Sequence, residues 1–168
     1  MTHKKTKKIA LYGVLVAVAL ILSYVESLIP AFYAVPGMKL GLTNVVVVFA
    51  LYFLGNKSAM AINLIRILLV SLLFGNFMGL AYSLVGGMLS TIVMILLKRT
   101  GKFKIVTVSI VGGVVHNLGQ VLVAVVLLQT TSLAYYFLIL WFAGIAAGFV
   151  IGIISALLVK RLQKIIVV

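Results

Sequence analysis

The sequence predicts an all-helical integral membrane protein, a bundle of six spans forming one domain. Three observations carry that expectation. Of the 168 residues, 65% are hydrophobic and only 9% charged, against roughly 45–50% and about 25% in water-soluble domains. The mean hydropathy is +1.36, more apolar side chain than a soluble fold of this size has interior to hide. The apolar residues also fall in long runs, with basic residues clustered between them.

A helix needs roughly 20 apolar residues to cross a hydrocarbon core about 30 Å thick. The first run, 9–29, follows Lys4, Lys5, Lys7 and Lys8. It is too long for a signal-peptide core and no clear cleavage site precedes the next run, so a retained helix is expected. The second, 41–54, is short, about 21 Å if helical throughout. It is tilted little, begins inside a cavity, or is extended by the loop before it. Full spans are expected over 58–74, 79–97, 105–129 and 134–159. The connections at 55–57, 75–78 and 130–132 are tight. The long one, 30–40, holds both prolines, Pro30 and Pro36, with Phe32 and Tyr33 between them. No repeat, low-complexity tract or flexible linker interrupts this plan.

The basic residues test the map independently. With the N-terminus inside, Lys4, Lys5, Lys7, Lys8, Lys57, Lys98, Arg99, Lys102, Lys104, Lys160, Arg161 and Lys164 all fall on the inner side. Lys39 alone falls outside, and Arg66 lies within a span. Such an asymmetry is the positive-inside signal. It predicts a multi-pass protein of the cell membrane with both termini cytoplasmic. A five-span plan would put one of the later basic clusters outside.

Composition also removes whole classes of function. The basic residues do not line one face or helix, as a nucleic-acid binder requires. Without cysteine there is no disulfide, thiolate metal site or thiol chemistry. Glu26 is the one acid, which excludes paired-carboxylate catalysis and a Mg²⁺ site built from several carboxylates. A metal centre is not expected either, since His3 is in the basic tail, far along the chain from His116. No catalytic residue and no cofactor are expected.

Small residues mark packing faces, because close backbone approach supplies much of the attraction between helices in lipid. Span six carries Gly144, Gly148 and Gly152 at intervals of four, and span four carries Gly79, Ser83, Gly87 and Thr91. Internal packing accounts for both. In span one, Gly13 and Ala17 lie beside a second stripe, Ala19 and Ser23, and leave internal packing and partner docking open.

Polar groups at membrane depth are costly, roughly 2.5–3.5 kcal/mol for a charge on insertion scales, and so usually face a cavity or partner. The candidates are Glu26, Lys39, Asn44, Asn63, Arg66, His116, Asn117 and Gln120. They occupy the middle and outer half of the expected bundle, which describes a pocket opening outward. Two bland readings stand beside this: a structural Glu26–Arg66 ion pair, and His116, Asn117 and Gln120 as hydrogen-bonded glue between helices. If the pocket is real, Lys39, Arg66 and a protonated His116 oppose only Glu26, so a partly anionic small molecule suits it. Phe32, Tyr33, Tyr82 and Trp141 either cover the ligand's apolar part or anchor the membrane interface.

The stretch Val25-Glu26-Ser27-Leu28-Ile29-Pro30, followed by Pro36-Gly37-Met38-Lys39-Leu40-Gly41-Leu42-Thr43-Asn44, resembles the Gx transporter family. Its members are also labelled heptaprenyl diphosphate synthase component I. That family is similar to the S components of energy-coupling factor (ECF) transporters. The resemblance implies a six-helix substrate-binding subunit for a vitamin-like molecule, partnered by a T component and two cytoplasmic ATPases. It also implies a loop that gates the pocket, at 30–40, and a small-residue docking face on the first helix. Gly13-x-x-x-Ala17 departs from the usual A-x-x-x-A there. No G-x-x-x-x-G-K-[ST] motif is present, in keeping with energy supplied by a partner. The prenyl-synthase label implies an isoprenoid or quinone connection. Catalytic prenyl transfer, though, uses aspartate-rich motifs, and this chain has no aspartate. The rival reading is a noncatalytic accessory or scaffold subunit, linked to polyprenyl diphosphate or quinone synthesis or to flavin-dependent extracellular electron transfer.

Overall fold

The computed structural model describes residues 2–28, 39 and 41–164. Apart from Lys39, the expected gating loop 30–40, including Pro30, Phe32, Tyr33 and Pro36, lies outside the described residues. Among those described there are six α-helices, one 3-10 turn and no strand. The helices are α1 (Thr2–Leu28), α2 (Asn44–Phe53), α3 (Asn56–Leu73), α4 (Phe77–Arg99), α5 (Ile105–Leu128) and α6 (Tyr136–Leu162), with the 3-10 turn at Thr131–Tyr135 before α6. All but α2 are long and apolar enough to cross a membrane.

The exception organises the bundle. With 10 residues, α2 is about 15 Å long, half of a hydrocarbon core. The helix expected over 41–54 starts three residues later, because Gly41 takes a left-handed φ of +84°. Every α2 side chain from Val46 to Leu51 is buried. Leu15 and Ala19 of α1, Ile62 of α3, Met94 of α4, Val108 of α5 and Ile151 of α6 share one core with it. A helix apolar on all sides belongs in such a centre.

Hydrogen bonds fix the depth of α2. Its C-terminal end lies at the end of the bundle carrying residues 98–104, where Lys98 Nζ donates to the carbonyl of Leu51 at 2.6 Å and to Asn56 Oδ1 at 3.4 Å. Its N-terminal end lies at mid-bundle, since a Cβ on Gly41 would sit 3.3 Å from the ring of His116, halfway along α5. The turn from α2 to α3 closes through Gly55, with φ +99°.

Glycine backbones set the other contacts. Cβ atoms on Gly144, Gly148 and Gly152 of α6 would meet the backbone of Gly113, Ile110 and Val106 on α5 at 3.0, 2.7 and 2.7 Å. The expected packing role of the α6 stripe is therefore its role. On α4, Gly87 faces Asn63, Arg66 and Ile67 of α3, while a Cβ on Gly119 of α5 would lie 2.7 Å from the Cα of Gly86, a close approach the sequence reading lacks. On α1, Ala19 and Ser23 are buried whereas Gly13 and Ala17 are exposed, and nothing lies within 4 Å of a Cβ built on Gly13.

Candidate functional site

The N-terminal end of α2 poses a problem of unpaired backbone. Residues 39 and 41–43 lie outside the helices at the middle of the bundle, and peptide groups at membrane depth survive only when protein or a wet cavity satisfies them. Two side chains do this. Glu26, buried on α1, accepts through Oε1 from the backbone N–H of Gly41 and, at 3.2 Å, of Leu42. Gln120 of α5 grips Lys39 from both sides, accepting from its N–H at 2.9 Å and donating to its carbonyl at 3.0 Å. A third tie joins the hydroxyls of Ser23 and Thr43 at 2.9 Å. Glu26 and Gln120 thus act first on the chain's own backbone.

Arg66 belongs to a second network. Its Nε donates to Asn63 Oδ1 at 2.9 Å, and Asn63 Nδ2 donates to the Gly87 carbonyl at 3.0 Å and to Thr91 Oγ1 at 2.8 Å. Thr91 Oγ1 in turn donates to the Gly87 carbonyl at 2.8 Å. Asn63 thereby aims the guanidinium from α3 with help from α4. The hydrogen bonds of Glu26 and Arg66 therefore run elsewhere than into the ion pair one sequence reading expects. Arg66 is 5% exposed, and its Nη2 is buried without a hydrogen-bond partner among the described residues.

Lys39 stands at the start of this segment, two residues before the Gly41 amide that Glu26 engages. His116 is buried with its Nδ1 against the Gly86 backbone, short of a well-formed hydrogen bond. Asn44 is buried at the head of α2 and lines a cavity of about 10 Å³ with Ser109, Met94 and Gly112, room for about one water molecule. The structure thus brings Glu26, Lys39, Asn44, His116 and Gln120 around residues 41–43, with Asn63 and Arg66 on an adjoining wall. Asn117 does not join them. It donates to the carbonyl of Leu140 at 2.6 Å and ties α5 to α6, which is the glue reading.

Three contributors escape sequence reasoning as parts of the site. Gly86 and Thr91 act through backbone approach and a shared carbonyl, which leave no sequence pattern. Gly41 stands in the quoted motif, and its role follows only from its φ and its neighbours. A Cβ there would lie 2.9 Å from Asn44 Nδ2 in a conformation that L side chains rarely adopt. Gly41→Ala is expected to lower stability by about 1–3 kcal/mol, measured by thermal unfolding in a mild detergent. A variant as stable as the parent would show that the segment does not enter as described.

The family model described as heptaprenyl diphosphate synthase component I matches residues 15–158. The chain belongs to this family. The matched stretch contains every residue of the site set out above, from Glu26 to Gln120. No curated protein matches the chain.

Proposed function

We propose that this family member is the substrate-binding subunit of a small-molecule uptake transporter, built like an ECF S component. Six crossings put both termini in the cytoplasm of a multi-pass cell-membrane protein, the second made jointly by the 39–43 segment and α2. The twelve basic residues of the inner side against Lys39 support that orientation. The observation that carries the reading is the buried guanidinium nitrogen of Arg66, which has no partner among the described residues. A charge held so deep is costly unless something answers it, and the sequence's one carboxylate already serves two backbone amides. An anionic group entering from the end opposite residues 98–104 answers it. Arg66 supplies charge, Lys39 closes from the loop, and Asn44 and His116 orient the ligand. The ligand is vitamin-like or a precursor of isoprenoids or quinones.

The rival reading, an accessory or scaffold subunit, draws on the family's name. It also draws on how many buried amides are satisfied internally, Asn63, Asn117 and Gln120 among them. Either protein is noncatalytic, with no aspartate and one glutamate to work with. Affinity purification from native membranes separates the two. The transporter co-purifies with a second membrane protein and cytoplasmic ATPases, and loses them on Gly13→Leu or Ala17→Leu, which alter the exposed face of α1. Recovery of a prenyl synthase in their place supports the accessory role and overturns transport.

A further inference from the structure

The charge left over in the bundle names the ligand's class, an inference that rests on the ligand-binding reading above. Twelve of the fourteen basic residues lie in the clusters at the inner helix ends. That leaves Arg66 and Lys39 against Glu26. The undescribed residues 29–38 and 40 include no lysine, arginine, histidine, aspartate or glutamate. With histidine counted neutral, the site therefore carries one formal positive charge more than it can answer, wherever the loop runs.

Geometry places that surplus. Glu26 Oε1 is engaged by the amides of Gly41 and Leu42. Arg66 Nε is engaged by Asn63, and its Nη2 has no partner among the described residues. Gln120 pins the backbone of Lys39 two residues from the Glu26 contact. Beyond Gly86 and Gln120 by one helical turn, Tyr82 and Ala124 belong to an apolar cluster with Val121 and Leu140. A ligand here meets one unpartnered guanidinium nitrogen, the side chain of a lysine whose backbone is pinned, and an apolar surround.

We infer that the site takes an apolar monoanion, specifically a carboxylate, and discriminates against phosphate monoesters and diphosphates. One negative charge brings the buried set to neutrality. A diphosphate ester, with two or three, overshoots and leaves buried negative charge, which costs as much as the surplus it replaces. A carboxylate is also planar and small, with two oxygens to meet one guanidinium nitrogen and one ammonium. The family's name points to diphosphate chemistry, and the charge count of this chain points away from it as cargo.

The test is equilibrium dialysis of soluble probes against the full chain in phosphatidylcholine nanodiscs, with empty discs as control. Two apolar bodies, octyl and phenylpropyl, are each compared as neutral amide, carboxylate, phosphate monoester and diphosphate. The carboxylate is expected to bind at least about tenfold more tightly than the amide and the diphosphate with both bodies. That preference is expected to vanish in Arg66→Gln and in Lys39→Met, the second variant guarding against failure of the first to fold. Tightest binding of the diphosphate overturns the inference and leaves ligand binding intact. Equal or no binding of carboxylate and amide also overturns it. In that case a molecule retained from native membranes by the parent chain, and lost in Arg66→Gln, would keep the ligand-binding reading alive, and its absence would end both.

Discussion

Glu26→Ala is expected to destabilise the protein by about 3–5 kcal/mol, the usual cost of leaving buried charge without its counterpart. Two losses combine. The amides of Gly41 and Leu42 lose their acceptor at membrane depth, where water does not replace it. Arg66 and Lys39 lose the one acidic side chain of the sequence. Glu26→Gln keeps an acceptor oxygen but not the charge, so its loss should be smaller. Adding Arg66→Met to Glu26→Gln should then restore part of the deficit, because it removes the charge left unanswered. Unfolding by sodium dodecyl sulfate in mixed micelles measures all three. A Glu26→Gln variant as stable as the parent would contradict the electrostatic half of this account, and a harmless Glu26→Ala the whole of it.

Gly113→Val should do comparable damage for a different reason. Its Cβ would lie 2.5 Å from the carbonyl oxygen of Gly144 and 3.4 Å from the Cα of Gly148. Both obstacles are backbone, so no side chain can rotate away and the helices must part. Overpacking of a tight interface typically costs 1–3 kcal/mol, and a backbone clash belongs at or above the top of that range, about 3 kcal/mol. The bond from Asn117 to the Leu140 carbonyl, at 2.6 Å, would stretch with it. Gly13→Val is the matched control, since open space surrounds that position, and its effect should stay within about 0.5 kcal/mol. Equal stability of the two variants in the same detergent titration would show that α5 and α6 do not pack through these glycines.

These two positions also show what a sequence can disclose in this protein. The long helices are legible because lipid demands unbroken apolar runs of sufficient length. The α6 stripe is legible because glycines at intervals of four leave one face bare. The short run at 41–54 stands out by its length, and its partial crossing follows from a φ of +84° at Gly41, which residue identity alone does not reveal. The polar residues are legible as unusual at their depth, but their partners are not. Glu26 and Gln120 serve backbone groups of the segment 39–42, and backbone groups are the same in every sequence. Charge pairing therefore suggests Arg66 as the partner of Glu26, whereas the local need for hydrogen-bond acceptors sends the carboxylate oxygen to Gly41 and Leu42. Asn117 sits beside His116 in the chain yet turns to α6, because consecutive helical residues point about 100° apart.

The most direct measurement is native mass spectrometry of the chain extracted from its own membranes in a neutral detergent. The parent should carry a small molecule that survives gentle activation, and Arg66→Gln, folded by its thermal transition, should emerge without it. A parent chain bare of any small molecule, or an adduct equally retained after Arg66→Gln, would contradict the assignment of that guanidinium to a ligand.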